Sequence, residues 1–157
     1  MKMVPNLQEA RDLLKNHNSD EFHLLHGEVA PRIMDCFAHQ NDPQNEEYWA
    51  AVGMLHNIDF ELSPEEHCAK CVESLRSYNI DEDMIRSIVS HGYGRLDWVT
   101  VRPEPHMEKI LFATDELSGL IGACAMVQGA KMLGISLEEL MQQTLDAIKT
   151  LVDVLPI

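Results

Sequence analysis

Residue types that support nucleic-acid or membrane binding are scarce in this chain of 157 residues. Aromatic residues make up only 6% of it, and 12 basic residues stand against 26 acidic ones. The formal net charge of −14 repels nucleic-acid backbones and anionic lipids. We therefore expect neither a nucleic-acid polymer nor a membrane as a partner. Few aromatic residues and 9 Met favour an aliphatic helical core over strands.

Long apolar runs, repeats and flexible linkers are also missing from the sequence. No apolar stretch has the length of a membrane span, and no apolar signal core follows Met1. The 4 Cys are then expected to be reduced thiols, which makes the cytoplasm the expected compartment. With no internal boundary, residues 1–157 are predicted to form a single domain.

Helix-start and helix-stop signals recur along the chain and predict an all-α fold. Ser63 precedes Pro64 and stands three residues before Glu66, as in a capping box. Apolar residues recur at three- and four-residue spacing, and no segment alternates as a strand would. Pro31 is expected to kink or divide the second helix. The predicted helices cover about 6–16, 19–39, 43–57, 64–78, 81–91, 105–133 and 136–154.

Catalytic motifs based on a Gly-rich phosphate loop or a nucleophile elbow are absent, which leaves the 8 His as candidate metal-binding or catalytic residues. Most single His in such proteins are surface or structural residues. His56 differs because it follows an apolar helical stretch and is followed directly by Asn57 and then, after Ile58, by Asp59. Such a concentration of polar groups is costly to bury unless something satisfies it, and a divalent cation would do so.

Three other features allow a structural interpretation as well as a functional one. Periodicity alone favours Asp115 on a solvated helix face. His91 stands just before Gly92, where an imidazole can cap helix carbonyls. Cys68 and Cys71 have the spacing of a zinc knuckle, but no second pair follows. We interpret them as core residues on one face of a helix.

Five short motifs follow one another along the chain: LLHGEVA at 24–30, GMLHNIDFE at 53–61, PEEH at 64–67, SHG at 90–92 and ATDELSGL at 113–120. Taken in this order, they resemble the HD-domain superfamily of metal-dependent phosphohydrolases. The similarity extends over roughly residues 6–150 and is greatest to compact stand-alone bacterial members.

The resemblance implies a compact helical HD-domain fold of about six or seven helices. It further implies hydrolysis of a small phosphate ester, such as a nucleotide, with a divalent ion as cofactor. Mixed imidazole and carboxylate ligands suit Fe, Mn, Zn or Ni. Mg is also among the ions considered, and the sequence does not choose among them. The implied metal ligands are His26, His56 and Asp115, with Asn57 as a weak fourth.

The resemblance also implies catalytic roles near the metal for His67, His91 and Asp59. Basic residues that could contact a phosphate are few. Arg86, Arg95 and Lys109 are the candidates, although an ordinary surface role is the favoured interpretation for each.

The sequence departs from the family at the centre of its motif. Position 57 is Asn where the family has Asp, and a neutral amide offers a metal only one carbonyl oxygen. Three hypotheses therefore stay open: an active phosphohydrolase, a degenerate domain that binds without efficient turnover, and a helical interaction module with an incidental His cluster. The third predicts that His26, His56 and Asp115 lie more than about 10 Å apart, since metal–ligand bonds are only about 2 Å long.

Overall fold

The computed structural model of the chain describes residues 2–115 and Ser136. This part is all-α, as predicted, and has no strand beyond an isolated backbone bridge between Met3 and Ile80. The α-helices are α1 (Leu7–His17), α2 (Glu21–Asn41), α3 (Glu46–Leu55), α4 (Ala69–Ser77) and α5 (Glu82–Val89), followed by α6, which is described over residues 106–115. The predicted helix 136–154 and the rest of the predicted helix 105–133 lie outside the described residues.

The centre of the fold is α3, whose residues from Trp49 to Leu55 are all buried. A helix that is apolar on every side belongs inside a core, and α3 packs against α1, α2 and α5. Its contact with α2 is close at Gly53. A Cβ there would lie 2.8 Å from Met34 Cγ and 3.1 Å from the carbonyl oxygen of Ala30. The absence of a side chain at Gly53 therefore lets these two helices approach.

The structure keeps α2 continuous through Pro31, so of the two expected outcomes, a kink or a division, the division is wrong. The predicted continuous helix 64–78 is wrong, because the structure divides it. A short 3₁₀ turn (Pro64–Glu66) precedes α4, and Cys68, with a left-handed φ of 66°, lies between the turn and the helix. Ser63 flanks the turn, but its side chain makes no capping hydrogen bond. The capping pattern was present without the geometry that it predicts.

A second 3₁₀ turn (Ser90–Gly92) continues α5 and carries His91. Within the described part of the chain, no helix combines the length and apolar character needed to cross a bilayer.

Candidate metal centre

Three elements bring His26, His56 and Asp115 together. His26 lies on α2, His56 ends α3, and Asp115 lies on α6. One ligand atom from each lies within 4.8 Å of the other two, a spacing at which the three could hold a metal ion. His56 Nε2 is 3.2 Å from His26 Nε2 and 2.8 Å from Asp115 Oδ1. A scattered arrangement with separations above about 10 Å, as an incidental cluster predicts, is therefore wrong.

The hydrogen bonds of His56 fix which of its nitrogens faces this group. Nδ1 lies 2.7 Å from the Gly53 carbonyl oxygen, which can only accept, so Nδ1 carries the hydrogen. In the neutral ring, the lone pair of Nε2 then faces the Asp115 carboxylate and His26 Nε2. Acceptors this close together, with His56 fully buried, require a proton or a cation between them.

The charges of the group suit a cation. Burial of Asp115 alone would favour the neutral acid, but the imidazoles of His56, His26 and His91 hold the pKa of this carboxyl well below its usual range. Burial lowers the pKa of His26, against the opposing effect of Asp115. At neutral pH the group thus presents an ionised carboxylate and a neutral His26, the forms in which both residues bind metals.

The expected solvated position of Asp115 is wrong, because its side chain is only 11% exposed. The polar face of α6 meets the end of α3 there instead of water. Arg95 also contacts this face: Nη1 donates to Asp115 Oδ2 at 3.0 Å and Nη2 to the Phe112 carbonyl oxygen at 2.8 Å. Arg95, which we interpreted as an ordinary surface residue, therefore lies at the candidate site.

The other two basic candidates have different surroundings. Arg86 forms an ion pair with the buried carboxylate of Glu108, which Ser87 also contacts. Lys109 is exposed on α6. These positions agree with structural and surface roles, respectively.

A second group, formed by His67, Cys68 and His91, is buried and also has the spacing for a metal ion. His67 Nε2 lies 3.0 Å from His91 Nε2, and Cys68 Sγ lies 3.9 Å from the same His91 atom. Burial, with the charges of Asp59 and Asp115, raises the pKa of the Cys68 thiol to about 12. Burial lowers the pKa of His91 to about 3, so its ring is neutral at neutral pH.

The two groups adjoin through their imidazole rings. The ring centroids of His26 and His56 lie 5.2 Å apart, those of His56 and His91 5.2 Å, and those of His91 and His67 5.1 Å. The four rings form a continuous row from α2 to the turn before α4. We call this set the imidazole row.

Asp59, predicted to be catalytic, is buried behind His67. Its Oδ1 accepts from His67 Nδ1 at 2.7 Å, and its Oδ2 accepts from the backbone N–H of Cys71 at 2.7 Å. Both carboxylate oxygens are thus engaged in fixing the position of His67 and the start of α4. A carboxylate behind a ligating imidazole is the usual arrangement for orienting the ring.

Asn57 is half-buried beside His56, and within residues 2–115 its side chain makes no hydrogen bond. Its role as a weak ligand remains a prediction.

Cys68 and Cys71 are buried, as a core position requires, but they do not share a helix, because Cys68 precedes α4. Cys68 was a metal-ligand candidate only as a pair with Cys71, and the core interpretation was preferred; the adjoining His67 was the signal for a mixed imidazole and thiolate group.

Comparison of the chain with models of protein families, with curated proteins and with solved structures gave no match.

Proposed function

We propose that this protein is a metal-dependent phosphohydrolase of the HD-domain type that hydrolyses a small phosphate ester, such as a nucleotide. The observation that carries the proposal is the convergence of His26, His56 and Asp115 within 4.8 Å. Their order along the chain is also that of the motifs quoted above. A divalent ion at this group would polarise a phosphoryl oxygen and lower the pKa of a water molecule.

The protein's own residues would hold the ion and limit its movement. Gly53 fixes the ring of His56 through its carbonyl oxygen, and Arg95 holds the second oxygen of Asp115. Ligands fixed in this way lose little freedom when an ion binds, which favours tight binding.

Arg95 is the residue best suited to contact the phosphate. The protein's net charge of −14 repels an anionic substrate, so binding requires local positive charge. The Arg95 side chain is 26% exposed and adjoins Asp115, so it can present donors to a phosphate at the metal. A guanidinium suits this task because it stays charged and forms charge-assisted hydrogen bonds with phosphate oxygens.

Elemental analysis and a panel of substrates test this proposal. The purified full chain should contain at least one transition-metal ion and release phosphate from nucleoside monophosphates or p-nitrophenyl phosphate. His56→Ala should lose this hydrolysis and the ion held by His26, His56 and Asp115. His26→Gln provides a second variant at a less buried position, in case His56→Ala fails to fold. A folded, metal-loaded wild-type protein that is inert on every phosphate would overturn the proposal.

Asn57 favours a second candidate function, a degenerate domain that binds a metal or a phosphorylated ligand without efficient turnover. The amide lacks the charge with which a carboxylate would hold an ion or bridge two. Under this alternative, wild-type protein binds metal and inorganic phosphate but hydrolyses nothing, while Asn57→Asp gains activity. The two candidates therefore differ in wild-type turnover.

A further inference from the structure

We propose that the thiolate of Cys68, together with Nε2 of His67 and His91, binds a metal ion separate from the ion assigned to His26, His56 and Asp115. The protein would then have one metal position of nitrogen and oxygen ligands and an adjoining one that contains sulfur. This inference concerns metal binding and does not depend on the hydrolysis proposed above.

The distances within the group approach those of a tetrahedral site. Metal–nitrogen bonds of about 2.05 Å and metal–sulfur bonds of about 2.3 Å place two nitrogens about 3.3 Å apart, and a nitrogen and a sulfur about 3.6 Å apart. The observed separations are 3.0 Å between the two Nε2 atoms and 3.9 Å between Cys68 Sγ and His91 Nε2. Small side-chain shifts would bring the observed separations to those of a tetrahedral site.

The hydrogen bonds of the two imidazoles direct their lone pairs at each other. His67 Nδ1 donates to Asp59, and His91 Nδ1 donates to the Ile88 carbonyl oxygen. In neutral rings both Nε2 atoms are then acceptors, yet they face each other at 3.0 Å in a buried space. A metal ion or a proton must lie between them, since two facing lone pairs would repel.

The backbone at Cys68 gives an independent indication of function. Its φ of 66° is unfavourable for a residue with a Cβ atom. The other non-Gly residue with positive φ in the described part of the chain is Asn79, a type that tolerates this conformation. Strained residues of this kind concentrate at functional sites. Here the conformation accompanies the approach of the Cys68 thiol to His91.

The ligand set indicates which ions would bind. A thiolate and two imidazoles suit Zn²⁺ or Co²⁺, whereas Mg²⁺ and Ca²⁺ prefer oxygen ligands. The thiol loses its proton to solvent as the sulfur–metal bond forms, so binding releases one proton per thiolate.

The competing explanation is a proton in place of the ion. His67 would then carry hydrogens on both nitrogens and donate to His91, and the Cys68 thiol would remain protonated. This arrangement needs no metal and predicts no sulfur–metal bond.

Cobalt loading of the full chain distinguishes the two explanations. The protein is freed of metal with a chelator, loaded with Co²⁺ and examined for the near-ultraviolet charge-transfer band of a sulfur–cobalt bond. We expect this band in the wild type and in Cys71→Ala, which removes the neighbouring buried thiol. We expect its loss in Cys68→Ser, together with a fall in bound cobalt from two ions per chain to one.

Cys68→Gly is a second variant in case Cys68→Ser fails to fold, because Gly tolerates a positive φ and relieves the strain at this position. It should fold as the wild type does and still lose the band. Asp115→Asn should keep the band, since its carboxylate belongs to the other group. Absence of the band in cobalt-loaded wild type, or its persistence in Cys68→Ser, would overturn the inference. A band without any phosphate hydrolysis would overturn the proposed function alone.

Discussion

His56 Nε2 lies 2.8 Å from Asp115 Oδ1 although 59 positions separate the two residues in the chain. The contact joins the end of the buried helix α3 to α6. Because Nδ1 of His56 donates to the Gly53 carbonyl oxygen, Nε2 faces the Asp115 carboxylate with its lone pair. A positive charge between the two atoms would turn this contact from repulsive to favourable. Interventions at these residues should therefore affect metal binding and stability together.

Asp115→Asn should weaken metal binding at this group by at least about 10-fold, because the amide has a similar shape but no charge. Even residues behind a metal ligand typically contribute 10- to 100-fold to affinity, so a direct ligand should contribute no less. Competition with a fluorescent chelator measures the change. Asp97→Asn is the matched control, since Asp97 is exposed on the segment that follows Arg95. Equal affinities for the two variants would argue against Asp115 as a ligand.

Asn57→Asp should raise the affinity for Mn²⁺ by about 10-fold or more. A factor of ten corresponds to about 1.4 kcal/mol, which one added charge beside a dication can supply. Isothermal titration of metal-free protein gives the affinity, and a phosphate-release assay shows whether turnover rises with it. Asn16→Asp adds the same charge at an exposed position and should change neither quantity. An unchanged affinity would mean that position 57 does not face the ion.

Gly53→Ala should destabilise the protein by about 1–3 kcal/mol, the usual cost of overpacking. The added Cβ would press on Met34, whose side chain can move, and on the backbone of Ala30, which cannot move without shifting α2. Since α2 carries His26, metal affinity should fall as well. Urea unfolding and chelator competition measure the two effects. Gly94→Ala is the comparison: it has space for a Cβ, and its left-handed φ affects only local strain. A Gly53→Ala protein as stable as the wild type would show that the helices separate freely.

Asp59→Asn should cost about 1–3 kcal/mol of stability, because it weakens two buried hydrogen bonds to a charged acceptor. His67 would also lose the partner that fixes its tautomer. Unfolding in urea with a chelator present measures the structural part of the effect. Asp35→Asn, on the exposed side of α2, should leave stability unchanged. If the two variants unfold alike, the contacts of Asp59 do not stabilise the fold.

The carboxylate of Glu61 should make stability depend on pH. Backbone hydrogen bonds from Asp20 and Ser19 lower the pKa of Glu61. Its contribution is therefore complete above the ordinary glutamate pKa of about 4.3 and is lost as the pH falls through the lower pKa of the folded state. The melting temperature of Glu61→Gln should lie below that of the wild type at neutral pH, and the difference should shrink in increasingly acidic buffers. A difference that stays constant with pH would exclude this charge as its cause.

The helical class and most helix positions followed from the sequence, because capping residues and apolar spacing are local signals. The interruption at Cys68 did not follow from the sequence, since the left-handed backbone there accompanies a contact with a distant turn that carries His91. Local propensity contains no information about such a contact.

The candidate site, too, could be predicted from the sequence only in part. The spacing of apolar residues placed Asp115 on the solvated face of its helix. That spacing contains no information about the contact between the polar face of α6 and His56. The order of motifs correctly grouped Asp115 with the two His. Arg95 had no local signal, because its contacts to Asp115 and Phe112 exist only in the folded chain.

The imidazole row, with neighbouring ring centroids 5.1–5.2 Å apart, has a consequence for the two proposed metal positions. Two dications at adjoining groups repel each other, and a buried surrounding screens that repulsion weakly. The first ion to bind should therefore lower the affinity for the second, so that a titration resolves two steps. Free metal concentration would then set the occupancy: one ion per chain when metal is scarce, and two when it is abundant.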